Sequence, residues 1–541
     1  MTGADAIVAA LRAEGVDVVF GLPGVHNLPL WEALRETPIR LVGVRHEQTA
    51  AYAADGYARA SGRPGVALVT TGPGAANTLG AVGEAWASRS PVVVIATEVP
   101  TEISADGRGR MSLHGGIDQR TLFAPVTKHA VTADVTAAVP GIVADALRVA
   151  AAPPSRPVYV GVPADRLAAP LAAPISTVTP PNQVPQRLDA SRVLDLLRGA
   201  QRPLVWAGGG ALQAGAGPAV AALAARLGAP AFETYSARGL LTGAPTAVGL
   251  PPHVPEAGTL WDAADLVLSI GSDLDGMTTQ NWRQPRPDTL IAVNVDPLDA
   301  ARGYGADGVL AADAGEGCSL LIGALDGPDR EPWADLGALR ERGWARLRAE
   351  HPAEVAFLDA FAAAMPDNAV VVADMCIPGY WLAGLGRVPA PRRLQYPMGW
   401  GTLGYAFPAA LGAACACDGP VVSVSGDGGF LFACGELATA AQERLPLTAV
   451  IVDDGGYGML RFDQRRAGAP EHGVDLHTPD FVALARSFGL RAEAVDGLDD
   501  AFAAALRRHV AEPEPTVLVA RAALTPPPTT SPRWYRASPA G

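Results

Sequence analysis

The chain has 541 residues, 49% of them hydrophobic and 18% charged, with a formal net charge of −13 and a pI near 5.2. That length exceeds one hydrophobic core and predicts about three domains of ordinary globular composition. The acidic balance argues against nucleic acid or an anionic membrane as partner; with no long uncharged apolar run and no basic segment opening residues 1–15, a cytoplasmic protein is expected.

Helical and strand patterns alternate from the start. Residues 4–14 are helical, 16–20 form an apolar strand ending in Gly21-Leu22-Pro23-Gly24, and 28–35 are helical. Residues 39–44 form a strand ending in Arg45-His46-Glu47, 48–60 are helical, and 65–71 form a strand ending in Gly72-Pro73-Gly74; helix 75–88 and strand 91–97 follow. Such alternation predicts a parallel, doubly wound sheet. Residues 168–185 are proline-rich without periodicity and read as a linker. A second α/β region has strands at 204–207, 266–270 and 290–295, and a weaker break at 326–333 leads to a third. The expected fold is α/β, with three doubly wound parallel-sheet domains at 1–167, 186–325 and 334–523. The proline-rich tail, 524–541, reads as a loose terminus or a lid.

Lys128 is the only lysine, which excludes a P-loop lysine and confines any Schiff base to that position. Cys318, Cys376, Cys415, Cys417 and Cys434 lack the paired spacing of zinc sites and read as buried thiols. The most informative stretch is 421–460. An apolar run at 421–424 ends in Gly426-Asp427-Gly428, a helical pattern covers 436–444, and a second apolar run at 447–452 ends in Asp453-Asp454-Gly455-Gly456. A right-handed crossover makes the two strands parallel, so both acidic clusters emerge at the carboxyl edge of one sheet, where open α/β sheets bind ligands. Carboxylates beside glycine-rich backbone suit a divalent metal carrying a diphosphate. Asp427, Asp454, the Gly456 carbonyl, two diphosphate oxygens and a water would complete a magnesium octahedron. Gly-Asp-Gly alone is a common strand-end turn; the second acidic cluster raises it above that reading.

In order along nearly the whole chain, Gly21 to Gly24, Arg45-His46-Glu47-Gln48, Asp55 to Arg59, Gly72-Pro73-Gly74, Pro125 to His129, Gly399 to Ala410 and the 421–460 stretch resemble the thiamine diphosphate enzymes of the acetolactate synthase and 2-oxo acid decarboxylase group. The resemblance implies thiamine diphosphate and Mg2+ as cofactors. It also implies non-oxidative decarboxylation of a 2-oxo acid through C2-carbanion and enamine intermediates, giving an aldehyde or a carboligation product. The alternatives are an acetolactate-synthase-type carboligase acting on pyruvate and a catalytically silent, cofactor-binding paralogue.

By position the resemblance places Glu47 on the pyrimidine N1′, the Gly401 carbonyl at the 4′-amine and Leu403 as the apolar wedge beneath the two rings. It adds Pro23, Gly24, Gly72 and Asn77 to the cofactor set. On the phosphate side it adds Asp374, Cys376 and Ile377 as backbone contacts, with Gly426, Gly428, Gly429, Tyr457, Gly458 and Met459 around the diphosphate. Read in isolation, Glu47 is an acid favoured at a helix N-terminus, and residues 396–408 are a glycine-rich loop packing a sheet.

One departure is Asp453-Asp454 where the group has Asn-Asn, an added carboxylate beside the diphosphate. Another is His114-Gly115, reached by counting back from Pro125 to His129, where acetolactate synthases carry Phe-Gln. It removes a group associated with carboligation and supplies a proton donor. With His26 it makes the turn and loop look closer to guanidino-oxopentanoate decarboxylases, although a lone loop histidine is more often structural. The middle region lacks a GxGxxG dinucleotide fingerprint, and the Arg-Phe-Asp-Asp pattern of FAD-binding synthases is absent after Gly271, so FAD is not expected. The resemblance also implies a homodimer, with the first domain of one subunit against the third of another, and a homotetramer as the assembled form.

Overall fold

The computed structural model describes residues 1–104, 112–171 and 189–527. Most of the 168–185 linker, the tail after 527, and Arg110 and Met111 ahead of His114 lie outside the described residues. Valine-, isoleucine- and alanine-rich runs buried on both faces form the central strands, as a parallel sheet covered by helices requires. The first sheet contains β1 (Val18–Gly21), β2 (Arg40–Gly43), β3 (Gly65–Val69), β4 (Val92–Glu98), β5 (His129–Thr132) and β6 (Val158–Pro163), in the order β2-β1-β3-β4-β6-β5. The second contains β7 (Pro203–Ala207), β8 (Ala231–Glu233), β9 (Leu266–Ile270), β10 (Thr289–Val293) and β11 (Gly308–Leu310), in the order β11-β10-β9-β7-β8. The third contains β12 (Val370–Ala373), β13 (Leu394–Gln395), β14 (Val421–Gly426), β15 (Leu447–Asp453), β16 (Arg491–Asp496) and β17 (Thr516–Arg521), in the order β13-β12-β14-β15-β17-β16. Neighbouring strands are parallel throughout, so the chain is α/β with three parallel sheets, as the alternating pattern predicts.

The first and third sheets share one strand order once β12 is set equivalent to β1. Helix Glu47–Ser61, between β2 and β3, and helix Ala406–Ala416, between β13 and β14, therefore hold equivalent places. They pack on each other main chain to main chain. A Cβ at Gly56 would lie 1.9 Å from the Ala409 carbonyl oxygen, and one at Gly412 1.7 Å from that of Ala53. One buried cluster runs from Val69 and Val94 of the first sheet through Tyr52 and Tyr405 to Val421 and Val519 of the third.

Two elements differ from the sequence pattern. The predicted helix 75–88 is two helices, Pro73–Ala76 and Leu79–Ala87. At the break the Thr78 hydroxyl donates to the Ala75 carbonyl (2.7 Å), competing with the helical ladder. The predicted helix 436–444 is preceded by a short helix, Asp427–Leu431, and by a 3-10 turn, Cys434–Glu436, that leads into Leu437–Glu443.

Candidate active site

Strands β14 and β15 pair from Val421↔Leu447 to Gly426↔Val452, which sets both acidic turns at one sheet edge. Asp427 is 1% exposed. Its Oδ1 accepts the Gly428 N–H (2.8 Å), while Oδ2 is buried without a partner among the described residues. Burial, then the charges of Asp454 and Asp453, push its carboxyl up to about 7. Burial also raises the Asp454 carboxyl, partly offset by Arg461. The Asp454 turn is clamped from outside by Tyr457 N–H to Val474 O (2.8 Å) and Leu476 N–H to Gly455 O (3.0 Å). A Cβ at Gly456 would lie 2.2 Å from the Val474 carbonyl oxygen, and the Gly456 carbonyl accepts no hydrogen bond among the described residues.

Three segments converge here. A Cβ at Gly426 would lie 3.5 Å from Cβ of Cys376, one at Gly428 2.7 Å from the Tyr457 ring, and one at Gly458 2.2 Å from Asp454 Oδ2 and 3.5 Å from Ile377 Cδ1. Helices Ile377–Leu385 and Gly458–Arg466 both begin at this point, so their free N–H groups and dipoles favour an anion. Met459, next in the second helix, packs against the core beneath. Among the described residues no group of three or more His, Cys, Asp or Glu side chains is placed to hold a metal. The donor set is instead two carboxylates, one of them with an orphaned buried oxygen, and a free carbonyl beside glycines that leave room for phosphate oxygens. That set fits a hard divalent ion carrying a diphosphate.

Asp374 serves this edge through its side chain. Its carboxylate accepts N–H bonds from Met375 (3.1 Å), Gly404 (3.0 Å) and Tyr405 (3.3 Å), and burial pushes it up to about 7. Its own N–H donates to Val424 O, and Cys376 N–H donates to Asp374 O (both 2.9 Å). Of these three residues, Ile377 keeps an N–H for a ligand. Gly401 and Gly404 adopt positive φ (70° and 74°) on either side of Leu403, the bend that presents this turn.

At the first sheet's edge Glu47 opens its helix, 9% exposed, and Oε2 accepts Asn77 Nδ2–H (2.9 Å). Gly24, after Pro23, donates its N–H to Asn27 Oδ1 (2.7 Å) and lies against Thr70. The structure brings His26 and His114 together, ring centroids 5.6 Å apart and edge to face. His114 has φ 65° and backs onto Gly72. Burial, then His114, lowers the His26 pKa. The Thr71 hydroxyl donates to Thr97 Oγ1 (2.9 Å) and so accepts from His26 Nδ1–H (2.7 Å), which leaves Nε2 unprotonated in the neutral ring. Gln119 supports the same edge, accepting the Gly72 N–H and donating to Thr97 O (3.0 Å) and Tyr159 OH (2.9 Å).

Two glutamates that sequence reasoning missed join the domains reciprocally. Buried Glu84, in the first domain, accepts the N–H groups of Gly399 (3.2 Å) and Trp400 (2.9 Å), just ahead of Gly401 and Leu403. Buried Glu436, in the third, accepts those of Arg45 and His46 (both 3.0 Å), just ahead of Glu47. The available signal was an acid set among Gly83, Ala85 and Trp86, with no polar neighbour to make it a solvent face. Among the described residues no hydrogen bond joins the Glu47 side chain to the third domain of its own chain. Apart from these edges, a cavity of about 210 Å³ lies between the domains at Gly209, Gly271 and Asn294. There Arg89 is already paired with Asp273 (3.0 Å) and Asp299 (2.6 Å).

The sequence matches the N-terminal TPP binding domain of thiamine pyrophosphate enzymes over residues 1–122, their central domain over 190–321 and their C-terminal TPP binding domain over 376–520. It is 37% identical to a probable 2-ketoarginine decarboxylase of Pseudomonas aeruginosa, covering 92% of this chain and 90% of that one. It is 32% identical to the acetolactate synthase of Bacillus subtilis (92% and 90%) and 30% identical to a probable acetolactate synthase large subunit of Methanocaldococcus jannaschii (92% and 88%). The chain belongs to the thiamine pyrophosphate enzyme family, as a thiamine diphosphate-dependent enzyme of its decarboxylase and acetolactate synthase group.

Proposed function

We propose that this enzyme decarboxylates a 2-oxo acid to an aldehyde with thiamine diphosphate and Mg2+, as a homodimer at minimum and a homotetramer when fully assembled. When bound, thiamine diphosphate supplies the electron sink into which a 2-oxo acid loses CO2. Asp427, Asp454 and the Gly456 carbonyl would hold the ion, and the N–H groups of Ile377, Gly429 and Gly458 the diphosphate. Glu47, steadied by Asn77, would hold a proton at the pyrimidine N1′. Leu403, between two positive-φ glycines, would set the bend of the cofactor.

The observation that carries decarboxylation over carboligation is the His26–His114 pair, two proton-carrying rings where a carboligase needs room for a second carbonyl. Likeness to the 2-ketoarginine decarboxylase supports a 2-oxo acid with a long cationic side chain as the first substrate to try. Support for the dimer is that Glu47 and Asp427 sit at separate sheet edges of one chain. The apolar side chains at those edges, Val25, Leu113 and Phe432, are 84%, 83% and 58% exposed.

The test is a panel of 2-oxo acids, with 2-oxo-5-guanidinopentanoate and pyruvate among them, scored for CO2, aldehyde and acetolactate. Acetolactate as the main product of pyruvate would favour the carboligase; cofactor binding without any CO2 release would favour a silent paralogue. Glu47→Gln is expected to abolish C2 proton exchange of the bound cofactor in D2O, and unchanged exchange would overturn the Glu47 role.

A further inference from the structure

Two aspartates already neutralise one divalent ion, so a diphosphate placed on it meets a surplus of negative charge, to which Asp453 next door adds. The structure contains a counterweight. Arg461 lies in the first turn of helix Gly458–Arg466, and its Nη2 bridges Asp454 Oδ1 (2.8 Å) and the Asp454 main-chain oxygen (2.7 Å). Both side chains of the pair are more than four-fifths buried. The guanidinium also reaches Asp475 at 3.8 Å, but that carboxylate is mostly in solvent. Asp454 Oδ2 faces the other way, toward the Cα of Gly458, in the cradle where the ion and phosphates would lie. The two carboxylate oxygens are thus divided, one to the cation of the chain and one to the site.

We infer that Arg461 is a positioning residue that makes Asp454 a one-oxygen, charge-compensated ligand, equivalent to an amide in oxygens offered and in net charge. This rests on the metal reading of Asp427 and Asp454. Because the arginine takes both the side-chain and the main-chain oxygen of one residue, it fixes the rotamer as well as the charge. Both bonds come from one nitrogen, so a lysine ammonium, with three N–H donors on one atom, can supply the same charge.

The test is a cycle of four proteins, wild type, Arg461→Gln, Asp454→Asn and the double variant. Each is prepared without cofactor and titrated with thiamine diphosphate at saturating Mg2+, with binding read by tryptophan fluorescence. Arg461→Gln, which exposes an uncompensated carboxylate to the diphosphate, is expected to weaken binding about tenfold or more, the scale on which one nearby charge moves another group's equilibrium. The double variant is expected to return to within about threefold of wild type, because both charges leave together. Arg461→Lys, should the glutamine variant fold poorly, is expected to retain most of the affinity. The inference is overturned if Arg461→Gln costs the same whether residue 454 is Asp or Asn, or if Arg461→Lys is as weak as Arg461→Gln. Wild-type binding that ignores Mg2+ and chelator would instead overturn the metal reading itself.

Discussion

On the proposed metal reading, an ion and a proton would compete for one oxygen of Asp427. Its carboxyl is moved from an ordinary value of 3.8 up to about 7, so between those values the metal-free folded protein keeps a proton that the unfolded chain has released. The folded state binding more protons means that metal-free stability declines as pH rises through that window. Binding of the proposed Mg2+ would expel the proton, so its affinity should strengthen over the same range. Calorimetric titration should show affinity falling about tenfold per pH unit below about 7 and levelling above it. His26 makes a second residue-scale case. Thr71→Val removes the acceptor of Nδ1–H, and kcat should drop about tenfold with little change in KM while Thr71→Ser recovers it, the pattern of a misplaced proton carrier. Asp427, Asp454, Glu47 and His26 could be singled out in the sequence because each lies at or just after a strand end, whereas His114 was reached only by counting along the family resemblance. Thr71, Gln119 and Arg461 were not legible as their partners. Thr71 is 45 residues from His26, and Arg461 is one of three arginines in its helix, the others being Arg465 and Arg466.

Between elements, the contact of helix Glu47–Ser61 with helix Ala406–Ala416 leaves no space for even a methyl group. Gly56→Ala or Gly412→Ala must push the paired helix backbones apart, and each should cost about 1–3 kcal/mol or more, read as a lower denaturation midpoint. The clasps are equally exacting: Glu436→Ala removes the buried carboxylate that accepts from Arg45, His46 and the Thr439 hydroxyl, and should cost about 1–3 kcal/mol, the scale of hydrogen bonds to a charged group, whereas Glu436→Gln, which keeps an acceptor, should cost less. The β14-helix-β15 unit could be read in advance because apolar period and glycine turns are local properties. The break at Asn77 could not, since the Asn77 side chain is held there by Glu47, 30 residues earlier in the chain. The serines of β14, Ser423 and Ser425, are buried, so the strand runs two residues beyond its apolar run.

Across the whole molecule, the common order of the first and third sheets places the Glu47 turn and the Leu403 turn at equivalent positions of two similar domains. Among the described residues no hydrogen bond joins the Glu47 side chain to the third domain of its own chain, and on the proposed dimer, assembly and activity should coincide: sedimentation of a fully active monomer would contradict it. The three-sheet plan was readable from alternating patterns. The pairing of the outer two across the middle domain was not, because nothing local in residues 47–61 shows that a helix some 350 residues later lies against them.

That separation also sets a schedule. At about 5–20 residues per second, a ribosome needs roughly 20–70 s to follow helix Glu47–Ser61 with helix Ala406–Ala416. For that interval the first domain has no partner for the bare backbone at Gly56, and the Glu84 carboxylate, held by Ser88 and Arg59, lacks the Gly399 and Trp400 N–H groups it later accepts. The nascent chain is most open to aggregation then, and a chain halted after the middle domain should be retained by chaperones or precipitate while the full-length enzyme stays in solution.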